Sequence, residues 1–124
     1  MEITDKRVVV TGAASGIGRA LVHAFNKAGA RSLVAVDINA EDVGQVAEEI
    51  DGRAITANVA READIQRVIE EANDYAGGID IFCSNAGIAG VPGFIEMETP
   101  DWQNIWEINV MSHIFAAKHI IPQM

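Results

Sequence analysis

The sequence predicts an α/β fold in which helices flank a parallel sheet. Short apolar runs alternate along the chain with stretches whose apolar residues recur at helical intervals, which is the pattern of repeated strand–helix units. The first run, Arg7–Thr11, is a valine-rich segment of the kind expected for a strand buried on both faces. A glycine-rich turn links it to a helical pattern that stops at Gly29. With 124 residues and 49% hydrophobic content, the chain is large enough to build a core.

The other elements continue this alternation. The predicted strands after the first are Ser32–Asp37, Arg53–Ala57 and Ile79–Cys83. The predicted helices between the strands cover residues 17–28, 40–50 and 62–75, and a loop is predicted over 90–99. The regular order of these segments favours one α/β domain without an internal linker or repeat.

A last helix is predicted at the end of the chain. Thr99 as the cap and Pro100 at the first helical position give its start, and Pro122 marks its end. Trp102 and Trp106 fall on one side of this helix. Tryptophans at this spacing favour packing over a substrate cage.

The turn after the first strand has the composition of a phosphate-binding site. Residues 11–18 read Thr-Gly-Ala-Ala-Ser-Gly-Ile-Gly. Free amide N–H groups at a helix start and the positive end of the helix dipole attract an anion at one point. Gly12 fits the tight turn, while Gly16 and Gly18 keep side chains away from a ligand and allow close packing of helix on strand. The alternative is a glycine-rich connection without a ligand.

Asp37 is a candidate for recognising ribose. It ends the second predicted strand, about twenty residues after the glycines, where a dinucleotide site carries its acidic residue. A carboxylate accepts hydrogen bonds from both hydroxyls of the adenosine ribose and repels a 2′-phosphate. This predicts NAD as the cofactor in preference to NADP. Without the upstream glycines, a turn residue or a helix cap is the alternative for Asp37.

The spacing Thr-Gly-x-x-x-Gly-x-Gly resembles that of the short-chain dehydrogenase/reductase family, whose members are nicotinamide-dependent oxidoreductases. Two further segments support the resemblance. Asn85-Ala86-Gly87 follows the fourth strand and matches three residues of the family's Asn-Asn-Ala-Gly motif, from which Ser84 departs, and Asn109 matches the family's helix asparagine. The resemblance implies a Rossmann-type doubly wound parallel sheet, truncated to about four strands in the order 3-2-1-4 with flanking helices.

The family pattern also assigns a role to the end of the third strand. Family members usually carry Asp-Val there, with the acid on the adenine amino group and the valine on the base. This chain has Asn58-Val59, which keeps a carbonyl acceptor without the charge. A turn or a cap for the next helix is the alternative for Asn58. Ser15 and Ile38, where NADP-dependent members often carry Arg or Lys, supply no cation.

The resemblance implies roles near the reacting end of the cofactor too. The segment Asn85–Gly87 lies beside the cofactor in the family, with the Asn supporting the sheet. Asn109 is the implied catalytic residue, since it bends its helix and holds a water in a proton relay. The complete set of implied cofactor contacts is Gly12, Ser15, Gly16, Ile17, Gly18, Asp37, Ile38, Asn58, Val59, Asn85, Ala86 and Gly87.

The resemblance covers the whole chain but only about the first half of a family domain. We therefore expect residues 1–124 to be the N-terminal dinucleotide-binding portion of one domain whose C-terminal catalytic portion is absent. The family's catalytic serine and Tyr-x-x-x-Lys pair have no match, because Tyr75 has Ile79 four residues on. The expected function is hydride transfer between an alcohol or ketone and NAD in the complete domain, with the isolated chain inactive. The alternative is a non-catalytic NAD-binding or hetero-association module.

Composition restricts the partners. A net charge of −9 disfavours nucleic acid and anionic membranes, and no apolar run approaches a membrane span. Met1–Thr4 lacks the features of a signal peptide, so a soluble, cytoplasmic protein is expected. The fourth strand should form an apolar edge, and the last helix should expose an apolar stripe through which a homo-oligomer forms, as in many family members.

Cysteine and histidine usage predicts no metal site. Cys83 is the single cysteine, so an internal disulfide is excluded, and its position in a strand favours a buried structural thiol. His23, His113 and His119 all fall in predicted helices and lack a metal-ligand spacing with Cys or acidic residues. They are expected to be surface or packing residues.

Overall fold

A computed structural model describes residues 1–90 and 93–124 of the protein and contains a parallel sheet with helices on both faces. The strands are β1 (Arg7–Thr11), β2 (Ser32–Asp37), β3 (Arg53–Thr56) and β4 (Ile81–Cys83). The helices are α1 (Gly16–Lys27), α2 (Ala40–Glu49), α3 (Glu62–Ala76), α4 (Thr99–Trp106) and α5 (Ser112–Ile120). A π-helical segment, Glu107–Met111, joins α4 to α5, and a 3₁₀ turn, Ile121–Gln123, follows α5.

The sheet has the order β3-β2-β1-β4, and each neighbouring pair is parallel. This confirms the predicted fold class and strand order. β1 lies at the centre, where Val9 is opposite Val34 on one side and Phe82 on the other. The carboxyl ends of β1 and β2 therefore lie side by side at one edge of the sheet.

A hydrophobic core lies on each face of the sheet because successive strand residues point to opposite sides. Val9 packs on one face with apolar residues of α3 and α5, including Ile65 and Ile120. Val8 and Val10 pack on the other face against α1 and α2. This two-sided burial explains why β1 is a run of valines instead of an alternating apolar and polar strand.

The strand β4 begins later than predicted, at Ile81 instead of Ile79. The reason is a side-chain contact at the start of the strand. Asp80 accepts hydrogen bonds through Oδ2 from the backbone N–H of Arg7 and from its Nε, and through Oδ1 from its Nη2, each at 2.8 Å. The side chain of Asp80 thus takes the Arg7 N–H, and paired residues start with Val8 and Ile81.

The start of α4 is displaced by one residue from the prediction. Glu98, not Thr99, is the N-cap, because its side chain accepts from the backbone of Asp101 while Asp101 Oδ2 accepts from the Glu98 N–H at 2.9 Å. This reciprocal pair satisfies two helix-terminal donors. Pro100 accordingly lies second in the helix. The predicted loop over 90–99 includes residues 91–92, which lie outside the described part of the chain.

The packing interpretation of the tryptophans is wrong for the described structure. Every residue of α4 is exposed or half-buried, and Trp102 and Trp106 keep 43% and 58% of their surface accessible. Phe94 makes an edge-to-face contact with Trp102, with ring centroids 5.3 Å apart. Helical periodicity identifies a shared face but does not reveal whether another element covers it. Cys83 also differs from expectation, since it is half-buried instead of fully buried.

Candidate functional site

A cleft of about 420 Å³ opens at the carboxyl ends of the strands. The loops after all four strands contribute to it, as expected where strand order reverses in a doubly wound sheet. It brings together every residue predicted to contact a cofactor and adds Ala57, Ile88 and Ile108. Among the described residues, its lining is Gly12, Ser15, Gly16, Ile17, Gly18, Asp37, Ile38, Ala57, Asn58, Val59, Asn85, Ala86, Gly87, Ile88 and Ile108.

The glycine-rich turn has the backbone geometry that its composition predicts. Gly12 and Gly16 have φ angles of +68° and +52°, a region that side-chain-bearing residues rarely adopt. A Cβ at Gly18 would overlap the carbonyl oxygen of Gly12, so a hydrogen there is required for helix α1 to lie against the turn. Ser15 is the N-cap of α1, but its side chain makes no capping hydrogen bond in the described structure. The first amides of α1 therefore remain available to an anion in the cleft.

Thr11 joins the β1 end of the cleft to the β4 end and was not among the predicted site residues. Its Oγ1 accepts from the backbone N–H groups of Asn85 and Ala86 at 3.0 and 3.1 Å and lies 3.4 Å from the Cys83 carbonyl oxygen. The Asn85 side chain donates to the Thr11 carbonyl oxygen at 3.0 Å. This geometry gives Asn85 the sheet-supporting contact expected for it. The feature of the sequence that could have identified Thr11 is a hydroxyl-bearing residue directly after a run of valines.

Asp37 lies in the cleft and also holds two turns in place. Its Oδ2 accepts from the Ala14 N–H at 3.0 Å, and its Oδ1 accepts from the Asn39 N–H at 3.1 Å. The turn-forming alternative for Asp37 is therefore realised in the structure. Each carboxylate oxygen retains a further acceptor site, so this role does not prevent Asp37 from accepting ligand hydroxyls.

Asn58 forms a turn between β3 and α3 while lining the cleft. Its Oδ1 accepts from the Ala60 N–H at 3.0 Å, and its own N–H donates to Asp64 Oδ2 at 2.8 Å. The turn interpretation is therefore also realised here. The side-chain carbonyl, which the sequence suggested as the acceptor for a base, is directed to the chain's own backbone.

Asn109 lies behind the cleft lining. Its Nδ2 donates to the Ile88 carbonyl and its Oδ1 accepts from the Ile88 N–H, both at 2.8 Å. The surrounding helix departs from α-helical geometry at the π segment Glu107–Met111, which agrees with the expected local distortion. Asn109 thus positions the backbone after Gly87, and its role in a proton relay stays a prediction.

Charge in the cleft is low. Asp37 is the one ionisable side chain among the described lining residues. Nearby at the end of β4, burial raises the pKa of the Cys83 thiol, so this cysteine stays protonated at neutral pH. Within residues 1–90 and 93–124, no group of three His, Cys, Asp or Glu side chains could hold a metal ion.

The histidines lie outside the cleft. His23 contacts Glu49 and His119 contacts Glu62, each at 2.9 Å, so both make surface contacts as expected. Among the helices that the structure describes, none has the length and apolar character needed to cross a bilayer.

The fold and the cleft together define a doubly wound α/β domain with a glycine-rich turn at the first strand–helix junction. Comparison with known proteins narrows this class. The family model for short chain dehydrogenases matches residues 6–124. The chain belongs to the short-chain dehydrogenase family.

Curated relatives support this assignment. The chain is 34% identical to a 1-deoxy-11-beta-hydroxypentalenate dehydrogenase of Streptomyces exfoliatus, over 100% of this chain and 47% of the relative. It is 36% identical to a CLA biosynthesis dehydrogenase/reductase of Lactiplantibacillus plantarum, over 99% and 44% of the two chains. The chain thus spans about half the length of the curated relatives it matches.

Solved structures show the same relationship. A 3-ketoacyl-(acyl-carrier-protein) reductase from Brucella melitensis, complexed with NADH, superposes with a TM-score of 0.92 at 32% identity, over 98% of this chain and 50% of that one. A short chain dehydrogenase/reductase from Burkholderia phymatum in complex with NAD has a TM-score of 0.94 at 24% identity, over 100% and 46%. At this identity, the similarity to the Burkholderia phymatum structure supports only the fold.

Proposed function

We propose that the chain is the NAD-binding portion of an oxidoreductase that transfers hydride between an alcohol or ketone and nicotinamide. The observation that carries the proposal is the convergence of the glycine turn, Asp37 and the segment Asn85–Gly87 on one cleft. The structural relative from Brucella melitensis is complexed with NADH, which supports a nicotinamide dinucleotide as the ligand. Residues 1–124 would then be the N-terminal part of a longer catalytic domain.

The cleft suggests how the dinucleotide would lie. The pyrophosphate would meet the free amides at the start of α1, and the adenosine ribose would meet Asp37. The adenine would then reach Asn58 and Val59 after β3, while the nicotinamide half would extend toward Asn85–Gly87 after β4. Bound nicotinamide would supply the hydride acceptor or donor, and the residues of this chain would bind and orient it.

NAD is favoured over NADP by the charges at the ribose position. Asp37 would repel a 2′-phosphate, and the described lining residues contain no Lys or Arg to compensate. Arg19 follows the glycine turn, but its guanidinium pairs with Glu49 at 2.7 Å. The cleft therefore offers an acceptor for ribose hydroxyls without a partner for an additional phosphate.

The isolated 124-residue polypeptide is expected to bind NAD without turning over a substrate. Tyr75 is the one tyrosine of the sequence, and it lies on α3, outside the cleft lining. Asn109 would act as a positioning residue that fixes Ile88 beside the nicotinamide. A catalytic tyrosine and lysine would come from outside residues 1–124.

A second candidate function is a non-catalytic module that binds NAD and associates with another chain. The observation in its favour is the exposed apolar surface on α5 and the turn after it, where Ile114 and Ile121 are accessible. The same surface would serve a homo-oligomer of the complete enzyme. A stable complex between this polypeptide and a full-length relative would favour the module.

The test is calorimetric titration of the folded, monodisperse chain with NAD and NADP, comparing wild type with Asp37→Ala. We expect saturable NAD binding that weakens at least about tenfold in the variant, because the ribose loses a charged acceptor. Asp74→Ala removes an exposed carboxylate of α3 away from the cleft and should bind like wild type. A chain shown by circular dichroism to be folded, yet unable to bind NAD, would overturn the proposal for this polypeptide.

A further inference from the structure

The π-helical segment between α4 and α5 carries two residues of the candidate site. Ile108 lines the cleft, and Asn109 bonds both the N–H and the carbonyl of Ile88, which lines the cleft as well. An α-helix would present these side chains at a different rotation about the helix axis, because each π-helical hydrogen bond spans one more residue. The direction of Asn109 toward Ile88 therefore depends on what maintains the π register.

Ser112 makes the hydrogen bonds that define this register. Its backbone N–H donates to the carbonyl of Glu107, five residues earlier, where an α-helix would use the carbonyl of Ile108. The hydroxyl of Ser112 takes over that second role, since its Oγ donates to the Ile108 carbonyl oxygen at 2.6 Å. Ser112 keeps only 2% of its surface accessible, so water is a poor substitute for the hydroxyl at this point.

Removal of the hydroxyl would change the balance between the two registers. With alanine at position 112, the Ile108 carbonyl would lose its donor in the π register, whereas the backbone N–H of residue 112 would satisfy it in the α register. A shielded carbonyl without a donor is unfavourable, and π-helical turns are rare compared with α-helical ones. The α register would then be favoured, and the Asn109 side chain would turn away from Ile88.

We propose that Ser112 is a positioning residue for the nicotinamide end of the cofactor, acting through the π segment and Asn109. This inference rests on the proposed function, in which the nicotinamide half extends toward Asn85–Gly87, directly before Ile88. A Cβ at Gly87 would lie 3.3 Å from Asn109 Oδ1, so the asparagine amide packs closely against this part of the cleft wall. Ser112 lies outside the described lining and would act only by fixing these residues.

The first test is calorimetric titration of the folded chain with NAD and with ADP-ribose, which keeps the adenosine and the pyrophosphate but lacks nicotinamide. Ser112→Ala should weaken NAD binding about fivefold and change ADP-ribose binding by less than about twofold, because the contacts of the glycine turn and Asp37 are unaffected. Ser112→Thr retains a hydroxyl and should bind NAD like wild type. General loss of stability would instead weaken both ligands together.

A matched control is Ala116→Gly. This residue is buried one turn further along α5, and glycine there lowers helix propensity without removing a side-chain hydrogen bond. The ratio of the NAD and ADP-ribose dissociation constants should stay at its wild-type value. Equal weakening of both ligands in Ser112→Ala, unchanged NAD binding in that variant, or a Thr variant as weak as the Ala variant would overturn the inference.

A second measurement needs no ligand. The Ile88 N–H donates to Asn109 Oδ1 at 2.8 Å, so its hydrogen-exchange rate reports this contact directly. In Ser112→Ala the rate should rise at least about tenfold, while the rate of the Val34 amide in the centre of the sheet stays within about twofold. An unchanged Ile88 rate would overturn the inference. If a folded wild-type chain bound neither ligand, the proposed function would fail, and the Ile88 rate would still decide whether Ser112 holds the register.

Discussion

The two edge strands of the sheet are held in different ways. At the β3 edge, Ile55 is buried, whereas Arg53 and Thr56 are exposed and polar, and Arg67 donates to the Thr56 carbonyl at 2.8 Å. At the β4 edge, Ile81, Phe82 and Cys83 are all apolar and only half-buried. Polar, covered edges resist pairing with other chains, whereas apolar edges promote it. The β3 edge thus has the features of a terminal strand, while β4 has the composition of a strand covered by further structure.

The attachment of β4 to the sheet depends on polar contacts at its two ends. At its start, Asp80 is held by the Arg7 guanidinium and backbone. At its end, Thr11 receives the N–H groups of Asn85 and Ala86. The contacts of Thr11 also position cleft-lining residues, so the attachment of β4 to the sheet and the shape of the candidate site depend on the same hydrogen bonds. The comparison teaches that the β4 side of the cleft is the part of the molecule most sensitive to the loss of a single polar side chain.

The largest effect is expected from Gly18→Ala, which disrupts the packing of helix α1 against the turn after β1. This contact lies in the interior of the sheet, between the two edge strands, and should therefore matter more than a contact at either edge. A Cβ at this position overlaps the Gly12 carbonyl oxygen, and backbone cannot move away cheaply. Unfolding free energy from urea denaturation should fall by about 3 kcal/mol, with NAD binding lost. Gly44→Ala is the matched control. Gly44 lies within helix α2, and a Cβ at this position would have no neighbouring atom within 4 Å. It should stabilise by about 0.5–1 kcal/mol, and a comparable loss in both variants would contradict the packing argument.

Thr11→Val should loosen the end of β4 next to the cleft. The substitution preserves shape but leaves the N–H groups of Asn85 and Ala86 without their acceptor, a cost of about 1–3 kcal/mol in urea denaturation. The hydrogen-exchange rates of these two amides should increase by a larger factor than the rate of the Val34 amide in the centre of the sheet. Thr11→Ser keeps the hydroxyl and should retain their protection. Equal protection in the Val and Ser variants would show that packing, not the hydroxyl, holds β4.

Asp80→Asn should weaken the start of β4 and change the acid response. The side-chain hydrogen bonds from Arg7, followed by its backbone N–H, hold the pKa of Asp80 well below its ordinary range. A carboxyl whose folded pKa is depressed contributes stability above its unfolded value of about 3.9, and this contribution is lost as pH falls below that value.

The measurement is thermal unfolding of wild type and Asp80→Asn between neutral pH and the acid limit of solubility. The difference between them should be largest near neutral pH and shrink as the wild-type carboxyl becomes protonated. Both groups of the pair are accessible to solvent, so the neutral-pH effect should be smaller than that of Thr11→Val. A pH-independent difference would contradict the assigned role of Asp80.

The smallest effect on stability is expected from Ile121→Lys, which tests the exposed surface beside β4. This side chain is 66% accessible and borders a groove of about 220 Å³ lined by Phe82 and residues of α5. Unfolding free energy should change by less than about 0.5 kcal/mol, while sedimentation velocity should show reduced self-association. Thr56→Lys places the same charge at the opposite edge and should leave association unchanged. A similar loss of association in both variants would indicate a general effect of charge instead of this surface.

Most of the fold was predicted because its signals are local. Valine runs and helical stripes report burial of adjacent residues, and glycines report backbone angles at single positions, as at Gly12 and Gly16. The predicted strands and helices were therefore confirmed, with shifts at their ends. The start of β4 was wrong by two residues because the side chain of Asp80 meets Arg7, which is far away in the sequence.

The candidate site was predicted less completely where a residue acts through a distant partner. Thr11 was missed as a link between strands because its partners lie more than seventy residues along the chain. The exposed tryptophans of α4 were predicted to pack because periodicity carries no information about a covering element. For Asp37 and Asn58, the sequence left turn and ligand roles open, and the structure shows the turn contacts of both.

The sequence by itself determined the α/β class, the strand–helix alternation and the glycine turn, because these depend on residue periodicity and local backbone conformation. Tertiary structure alone decided that the ends of four separate strands meet at one cleft and that Thr11 joins two of them. It also decided that the side-chain carbonyl of Asn58 bonds the Ala60 N–H. Such features depend on contacts between residues distant in the chain, whose geometry is established only when the core forms and fixes the strands in register.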